Sequence, residues 1–487
     1  MTHHYLACDL GADSGRLMLG SLDEQRLALE ELHRFPNSPA KLNGSLCWDI
    51  PRLLEELKAG LKKAAKRGLS IASISCDSWG VDYLLYNSKW ELIPPTYHYR
   101  DARCQRGVER VRSKVDWNTV FDETGIQFMP LNTIYQLAAE TPDRLGRAQR
   151  LLCIGDGFNF YLSGAAKAEV SLASTTQLYN PRTKTWSKRL IDALDLPIGL
   201  FPDIAPSGTR LGALKPELAR ETGLPAIQVV ATCSHDTGAA VAAVPASGTD
   251  WAYLSSGTWS LIGVELAEPI ITPACRDLNF TNEIGYGSSV RLLKNIIGLW
   301  LVQECRRHWA KESKPYDFAS LERLAAAAPP FVSLINPADA RFLAPDDMPA
   351  KIASYCREHQ QPVPTDVGAT VRCIYESLAL LYRRTLLNVE KLIGRKIARL
   401  HIVGGGSKDS LLNQFSANAL QIPVIAGPVE ATAAGNVLIQ AITLGHLPSL
   451  EAARQVVRHS MAGTTIQPEA TAQWEQAYGR FEKLLVN

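Results

Sequence analysis

The stretch "ACDLGADSGRLML", residues 7–19, runs from an apolar segment into Asp9, crosses a turn of small and polar residues, and becomes apolar again at Leu17. With its neighbours "YLACDLG" (5–11), "GRLMLGSLD" (15–23) and "LALEELHRF" (27–35) it reads as three successive strands joined by turns. They form a meander. Next, "IPRLLEELKAGLKKAAKRG" (50–68) carries Leu53, Leu54, Leu57 and Leu61 near helical spacing and stops at Gly68 after a basic run. "IASISCDSWGVDYLLYN" (71–87) then returns to strand character with a break at Gly80. The order β-β-β-α-β predicts an α/β lobe.

A second beginning stands at "WAYLSSGTWSLIGVEL" (251–266), which repeats strand, polar turn and strand. Before it, "IQVVATCSHDTGAAVAAVP" (227–245) reads as strand, turn and a small-residue helix, so a domain boundary falls at Pro245 to Gly248. Farther on, "RLHIVGGGSKDSLLNQFSANAL" (399–420) is a strand leading through glycines into a helix, and "ATAAGNVLIQAITLG" (431–445) is another helix. The expected halves are 1–246 and 247–487. The last stretch, about 469–487, reads as a helix with Trp474, Tyr478 and Phe481 on one side, packing back on the N-terminal lobe.

A chain of 487 residues is long for one domain. With 46% hydrophobic and 21% charged residues it has an ordinary globular composition. Its 51 basic and 49 acidic residues give a net charge of +2, which supplies no field for nucleic acid or an anionic membrane. No secretory signal and no span of about 20 apolar residues is present, so a cytoplasmic location is expected. The ten cysteines include no CxxC and no cluster of zinc spacing. Cys356 and Cys373 could meet across a loop, but a reducing compartment favours free thiols.

Several stretches can carry chemistry. A turn with Gly11, Ser14 and Gly15 can gather backbone N–H groups around phosphate oxygens, Arg16 can neutralise a transferred phosphate, and Asp9 can hold a water-coordinated Mg2+. A hairpin with a polar turn explains the same residues. The glycines at 404–406 precede a helix start suited to a nucleotide, and Thr258 offers a hydroxyl in the second hairpin turn. In "SHDTG", Asp236 begins a helix after an apolar strand, where it can act as a base for alcohol phosphorylation or simply cap the helix. "DSWGVDYLLYN" and "YHYRDARC" interleave acids, arginines and aromatics as a sugar site would, or as buried salt bridges would. "LLKNIIGLWLVQE" (292–304) reads as an apolar helix whose Asn295 and Gln303 share a face.

Taken together, "DLGADSGR", "DSWGVD", "YRDAR", "GIQFMPLNTIYQL", "SHDTG", "YLSSGTWSL", "LKNIIGLWL", "INPADARFL" and "HIVGGG" resemble the FGGY carbohydrate kinases, in family order over nearly the whole chain. The resemblance implies two actin-like (ribonuclease H-like) lobes around a central cleft. It also implies transfer of the ATP γ-phosphate to the 1-hydroxyl of a ketose, L-rhamnulose, with Asp236 as proton acceptor. Ala12, Asp13, Ser14, Gly15, Arg16, Thr258, Gln303 and Gly405 fall on ATP-contact positions. Gly80, His235, Asp236, Thr237 and Asn295 fall on sugar-contact positions, and Cys356 and Cys373 on places where a cysteine pair is drawn. Two other readings stand beside it: the same chemistry on L-fuculose, L-ribulose or L-xylulose, and an actin-like ATPase with no sugar substrate.

Overall fold

The computed structural model describes residues 2–485; residues 1, 486 and 487, which end the two expected halves, lie outside the described residues. The opening meander is formed by β1 (His3–Leu10), β2 (Ser14–Leu22) and β3 (Leu27–Pro36), paired antiparallel with Asp9 opposite Arg16. A helix, Ile50–Ala65, follows. Asp49 accepts from the Arg52 N–H at its start, and Leu53, Leu57, Leu61 and Ala64 make its buried stripe. The chain then enters β4 (Ile71–Ser78), parallel to β1. With β5 (Thr209–Ala213) and β6 (Gln228–Ala231) the first sheet has the order β5-β6-β4-β1-β2-β3. In β1 every residue from Tyr5 to Leu10 is buried, as befits a strand inside a sheet covered on both faces.

A second sheet repeats the plan. Its strands are β7 (Trp251–Ser256), β8 (Trp259–Leu266), β9 (Thr281–Ile284), β10 (Val290–Ile297), β11 (Arg399–Val403), β12 (Val424–Ala426) and β13 (Thr464–Ile466), in the order β9-β10-β8-β7-β11-β12-β13. β7 and β8 pair antiparallel while β7, β11 and β12 run parallel, as β1, β4 and β6 do in the first sheet.

The chain divides at Pro245, but the two compact units are not the simple halves the sequence suggests. The first unit also takes in Glu265–Leu292 and Ala431–Met461, and the second holds Ala246–Val264, Leu293–Glu430 and the chain from Ala462 onward. Polar bonds explain the return of the helix Ala431–Thr443 to the first unit. Gln440 donates to the Leu6 carbonyl at 2.9 Å and accepts from Ser73, while Asn436 donates to Asp77 at 2.5 Å. The terminal helix, Thr471–Lys483, corrects a second expectation: Trp474 packs on Phe331 and Phe415 at 4.9 and 5.2 Å, so this helix belongs to the second unit.

Helix Ala431–Thr443 lies against helix Asp236–Ala242 with almost no space between them. A Cβ built on Gly435 would stand 1.8 Å from the Ala239 carbonyl oxygen, a backbone atom that cannot swing aside. Helix propensity alone would favour alanine at this position by about 1 kcal/mol. The clash outweighs it, and we expect Gly435→Ala to destabilise the protein by about 1–3 kcal/mol and to lower activity by displacing the helix that begins at Asp236. Chemical denaturation with parallel assays checks this; an unchanged or raised midpoint would contradict it.

Candidate active site

Strand β6 ends in the turn Ser234-His235-Asp236, and the backbone of that turn is tied on several sides. Ser78 N–H donates to the Ser234 carbonyl at 2.8 Å, Ser234 N–H donates to Glu169 Oε2 at 2.9 Å, and His235 N–H donates to the Ser171 hydroxyl at 3.0 Å. The Ser171 hydroxyl in turn donates to Glu169, which also caps the helix Val170–Thr175 and receives the Ser207 hydroxyl. Glu169 is completely buried. Burial drives its pKa up, and the hydrogen bonds from Ser171, Ser207 and Ser234 oppose that drift.

Asp236 is the first residue of its helix and His235 precedes it as the cap, making no side-chain capping bond. The capping reading of Asp236 therefore falls away. Its Oδ1 receives Thr237 N–H at 2.6 Å and the Thr237 hydroxyl at 3.2 Å, and faces His235 Nε2 at 3.3 Å. Oδ2 accepts no hydrogen bond among the described residues, and the side chain is 28% exposed. Burial raises the pKa of this carboxyl, His235 lowers it, and Asp9 raises it again. One oxygen is anchored and the other is open.

Two charged residues overlooked in the sequence stand behind His235. Arg291, with a wholly buried side chain, donates to His235 Nδ1 at 3.0 Å and to Glu283 at 3.1 Å. A signal existed for Arg291, which stands between Val290 and Leu292 in "VRLLKNII" of β10; Glu283, in the mostly polar "TNEI" of β9, gave none. Charges are rarely buried without partners.

In the first hairpin, Gly11 N–H closes the turn on the Ser14 carbonyl at 3.0 Å, Ala12 and Ser14 are half-buried, and the Asp13 side chain is exposed. Gly15 is required by packing, since a Cβ there would meet the Phe35 ring at 2.2 Å. Asp9 pairs with Arg16 at 2.5 Å and lies in register with Asp77 on the neighbouring strand. Asp77 is wholly buried with Oδ1 lacking a hydrogen bond among the described residues. Its pKa is pushed up by burial and by Asp9, against the bond from Asn436. Among the described residues no group of three or more His, Cys, Asp or Glu side chains is placed to hold a metal ion. The donor set at Asp9 fits Mg2+ carried on one or two carboxylates, water and phosphate oxygens, and it does not fit an all-protein cage.

At "WGVD", Gly80 is half-buried, and Val81 has φ +68°, a strained conformation for a β-branched residue. The Val81 carbonyl is held by the Thr133 hydroxyl at 2.6 Å and its N–H by Thr175 at 3.2 Å. Asp82, wholly buried, accepts from the indoles of Trp48 and Trp79 at 2.5 and 2.9 Å, from Gln136 at 2.9 Å and from Tyr99 N–H at 3.3 Å. "YRDAR" is structural in large part: Asp101 accepts from Leu46 and Arg103 backbone N–H groups, and the Arg103 side chain pairs with Glu140.

The remaining expected positions lie in the second unit. Thr258 and Gln303 come together, the Gln303 amide donating to the Thr258 hydroxyl at 3.3 Å, while Gln303 Oε1 is buried with no hydrogen bond among the described residues. Residues 292–304 are not one helix: Asn295 lies on β10 and Gln303 on the helix Trp300–Lys311. Gly298 makes the break, for a Cβ on it would meet the Ser260 hydroxyl at 2.5 Å and backbone of the hairpin turn at 2.9 Å. Gly404 has φ +84°, Gly406 is pressed on Ser256, and Gly405 is exposed with open space where a Cβ would stand. A ligand can approach the Gly405 backbone unhindered. All ten cysteines are buried free thiols, with Cys356 and Cys373 hydrogen-bonded to each other. No helix among the described residues is long and apolar enough to cross a membrane.

Known proteins similar to this chain match it over nearly its whole length. Residues 4–243 match the N-terminal domain, and residues 252–444 the C-terminal domain, of the FGGY family of carbohydrate kinases. The chain is 45% identical over 485 residues to a rhamnulokinase of Bacteroides thetaiotaomicron, covering 99% of each chain. It is 41% identical to a rhamnulokinase of Enterococcus faecalis, covering 94% of this chain and 92% of that one. In fold it is similar to a ligand-bound xylulose kinase of Lactobacillus acidophilus, with TM-score 0.82 at 16% identity over 99% and 97% of the two chains. A Plasmodium falciparum glycerol kinase with ADP gives TM-score 0.80 at 14% identity over 99% and 98%.

The Asp82 network has a pH signature. Burial pushes its carboxyl up to about 6 in spite of its donors. A carboxyl whose pKa is higher in the folded than in the unfolded state adds stability below its ordinary value near 3.8. That contribution is lost as pH rises through about 6. Asp82→Asn, neutral throughout, should flatten this limb by on the order of 3 kcal/mol between the two limits, measured by denaturation across pH. Parallel curves for the two proteins would refute the assignment.

Proposed function

The chain belongs to the FGGY family of carbohydrate kinases, and we propose that it phosphorylates L-rhamnulose on its 1-hydroxyl with ATP, releasing L-rhamnulose 1-phosphate and ADP. The observation that carries the chemistry is the asymmetry of Asp236: its protein contacts converge on Oδ1, and Oδ2 is left to accept a proton. In this reading Oδ2 takes the hydroxyl proton as the new O–P bond forms and the bond from the γ-phosphorus to the bridging oxygen breaks, so that ADP departs. A carboxyl pKa raised by burial suits that task, because it makes the oxygen a stronger base.

His235, Thr237, Gly80 and Asn295 are assigned to the sugar, and Ala12 to Arg16, Thr258, Gln303 and Gly405 to the nucleotide. Asp9 is assigned to Mg2+, which when bound neutralises charge developing on the phosphates. Support for these roles comes from the exposed backbone at Gly405, the buried unbonded oxygens of Gln303 and Asp77, and the Asp9–Arg16 pair. The identity of the sugar is supported by the 38–45% identity to rhamnulokinases over nearly the full chain. We place the enzyme in the cytoplasm, a reading supported by ten free thiols.

Asp236→Asn should lower kcat by roughly 10²- to 10⁴-fold while sugar binding is largely kept. Wild-type turnover in that variant would remove Asp236 from the chemistry. An ADP-release assay over L-rhamnulose, L-fuculose, L-ribulose and L-xylulose tests the substrate, with L-rhamnulose expected to give the largest kcat/KM. A larger value for any of the others would replace it, and sugar-independent ADP release would favour the ATPase reading.

A further inference from the structure

The ring of His235 has two different neighbours. On one side Arg291, whose guanidinium is a donor at every accessible pH, reaches Nδ1 at 3.0 Å. On the other, Nε2 faces Asp236 Oδ1 at 3.3 Å. Glu283 lies 3.4 Å from the same Nδ1, farther than Arg291, from which it accepts at 3.1 Å. That guanidinium nitrogen carries two hydrogens and has three acceptors in reach, His235 Nδ1, Glu283 and, longest at 3.4 Å, the Ile284 carbonyl. With an Arg291 N–H donated to Nδ1, that nitrogen presents its lone pair, and a neutral ring then carries its proton on Nε2.

We propose that Arg291 is a positioning residue for phosphoryl transfer: anchored by Glu283, it fixes His235 as the Nε2–H tautomer and directs that proton to Asp236 Oδ1. The inference rests on Asp236 being the proton acceptor. With Oδ1 bonded to the Thr237 N–H and hydroxyl and facing His235 Nε2, the carboxylate cannot rotate without losing these contacts, and Oδ2 is the oxygen left for the hydroxyl. In the opposite tautomer a lone pair on Nε2 would face the charged Oδ1, and repulsion would turn the carboxylate away. Arg291 itself touches no reacting atom. It acts through the ring, as outer partners of oriented histidines do. The strand carrying it has a reason to keep a wholly buried cation where a leucine would pack more cheaply.

The test has a spectroscopic and a kinetic arm. Nitrogen-15 NMR of the histidine rings in the full-length protein, with His235→Gln used only for assignment, should show Nε2 protonated and Nδ1 unprotonated in wild type. Arg291→Gln should lower kcat by about 10- to 100-fold with the KM for L-rhamnulose nearly unchanged. A proton found on Nδ1 in the wild-type spectrum overturns the proposal. So does a folded Arg291→Gln enzyme with wild-type kcat, or one whose loss lies in KM alone, which would make Arg291 a sugar-binding residue. If Arg291→Gln does not fold, the wild-type spectrum decides the matter by itself. The spectrum also separates this proposal from the assigned function, because it reads the tautomer whichever ketose the enzyme prefers.

Discussion

The turn that carries Asp236 depends on one buried carboxyl group, that of Glu169. Glu169 has no exposed surface and gathers the Ser234 N–H, the Ser171 N–H and hydroxyl, and the Ser207 hydroxyl. Through Ser171 it also reaches the His235 N–H. Removing water from a charged group is costly, and a shell of donors is what makes it tolerable. Here the shell is the loop that presents Asp236. The turn cannot shift without leaving buried oxygens of Glu169 unpaired, so the energetic demand of burying Glu169 also holds Asp236, the proposed base, in place.

A second constraint acts on the helix below that turn. Asp236 stands at the start of a short helix whose far side touches Ala431–Thr443 at Gly435. Small residues along this seam let two backbones approach closely, and Asn436 and Gln440 then reach β1 and β4 with their amides. Sheet, returning helix and the helix that begins at Asp236 thus share one buried contact, polar at Asn436 and Gln440 and tight at Gly435. The first unit owes its completeness to a segment nearly 200 residues beyond its boundary in sequence.

The opening meander with its helix and β4, the second hairpin β7–β8 and the strand β11 were legible from local patterns, whereas the strand order of the sheets was not. Alternating or continuous apolar runs, turn residues at fixed places and the stripe Leu53, Leu57, Leu61 report directly on strand and helix. Residues 292–304 misled because a buried strand and an apolar helix look alike over eight residues, and Gly298 divides them for a reason that exists only in three dimensions. The terminal helix misled for a related reason. Its apolar face was visible, but its partners Phe331 and Phe415 are distant in sequence.

Family membership and Asp236 itself came from residue order, because a motif such as "SHDTG" carries its chemistry in adjacent side chains. Tertiary structure alone decided which oxygen of Asp236 is open, that His235 and not Asp236 precedes the helix as its cap, and that Arg291 and Glu283 stand behind the imidazole. These are matters of direction and of distance between segments far apart in the chain. A sequence records which groups are present; the folded backbone determines where their lone pairs and protons point.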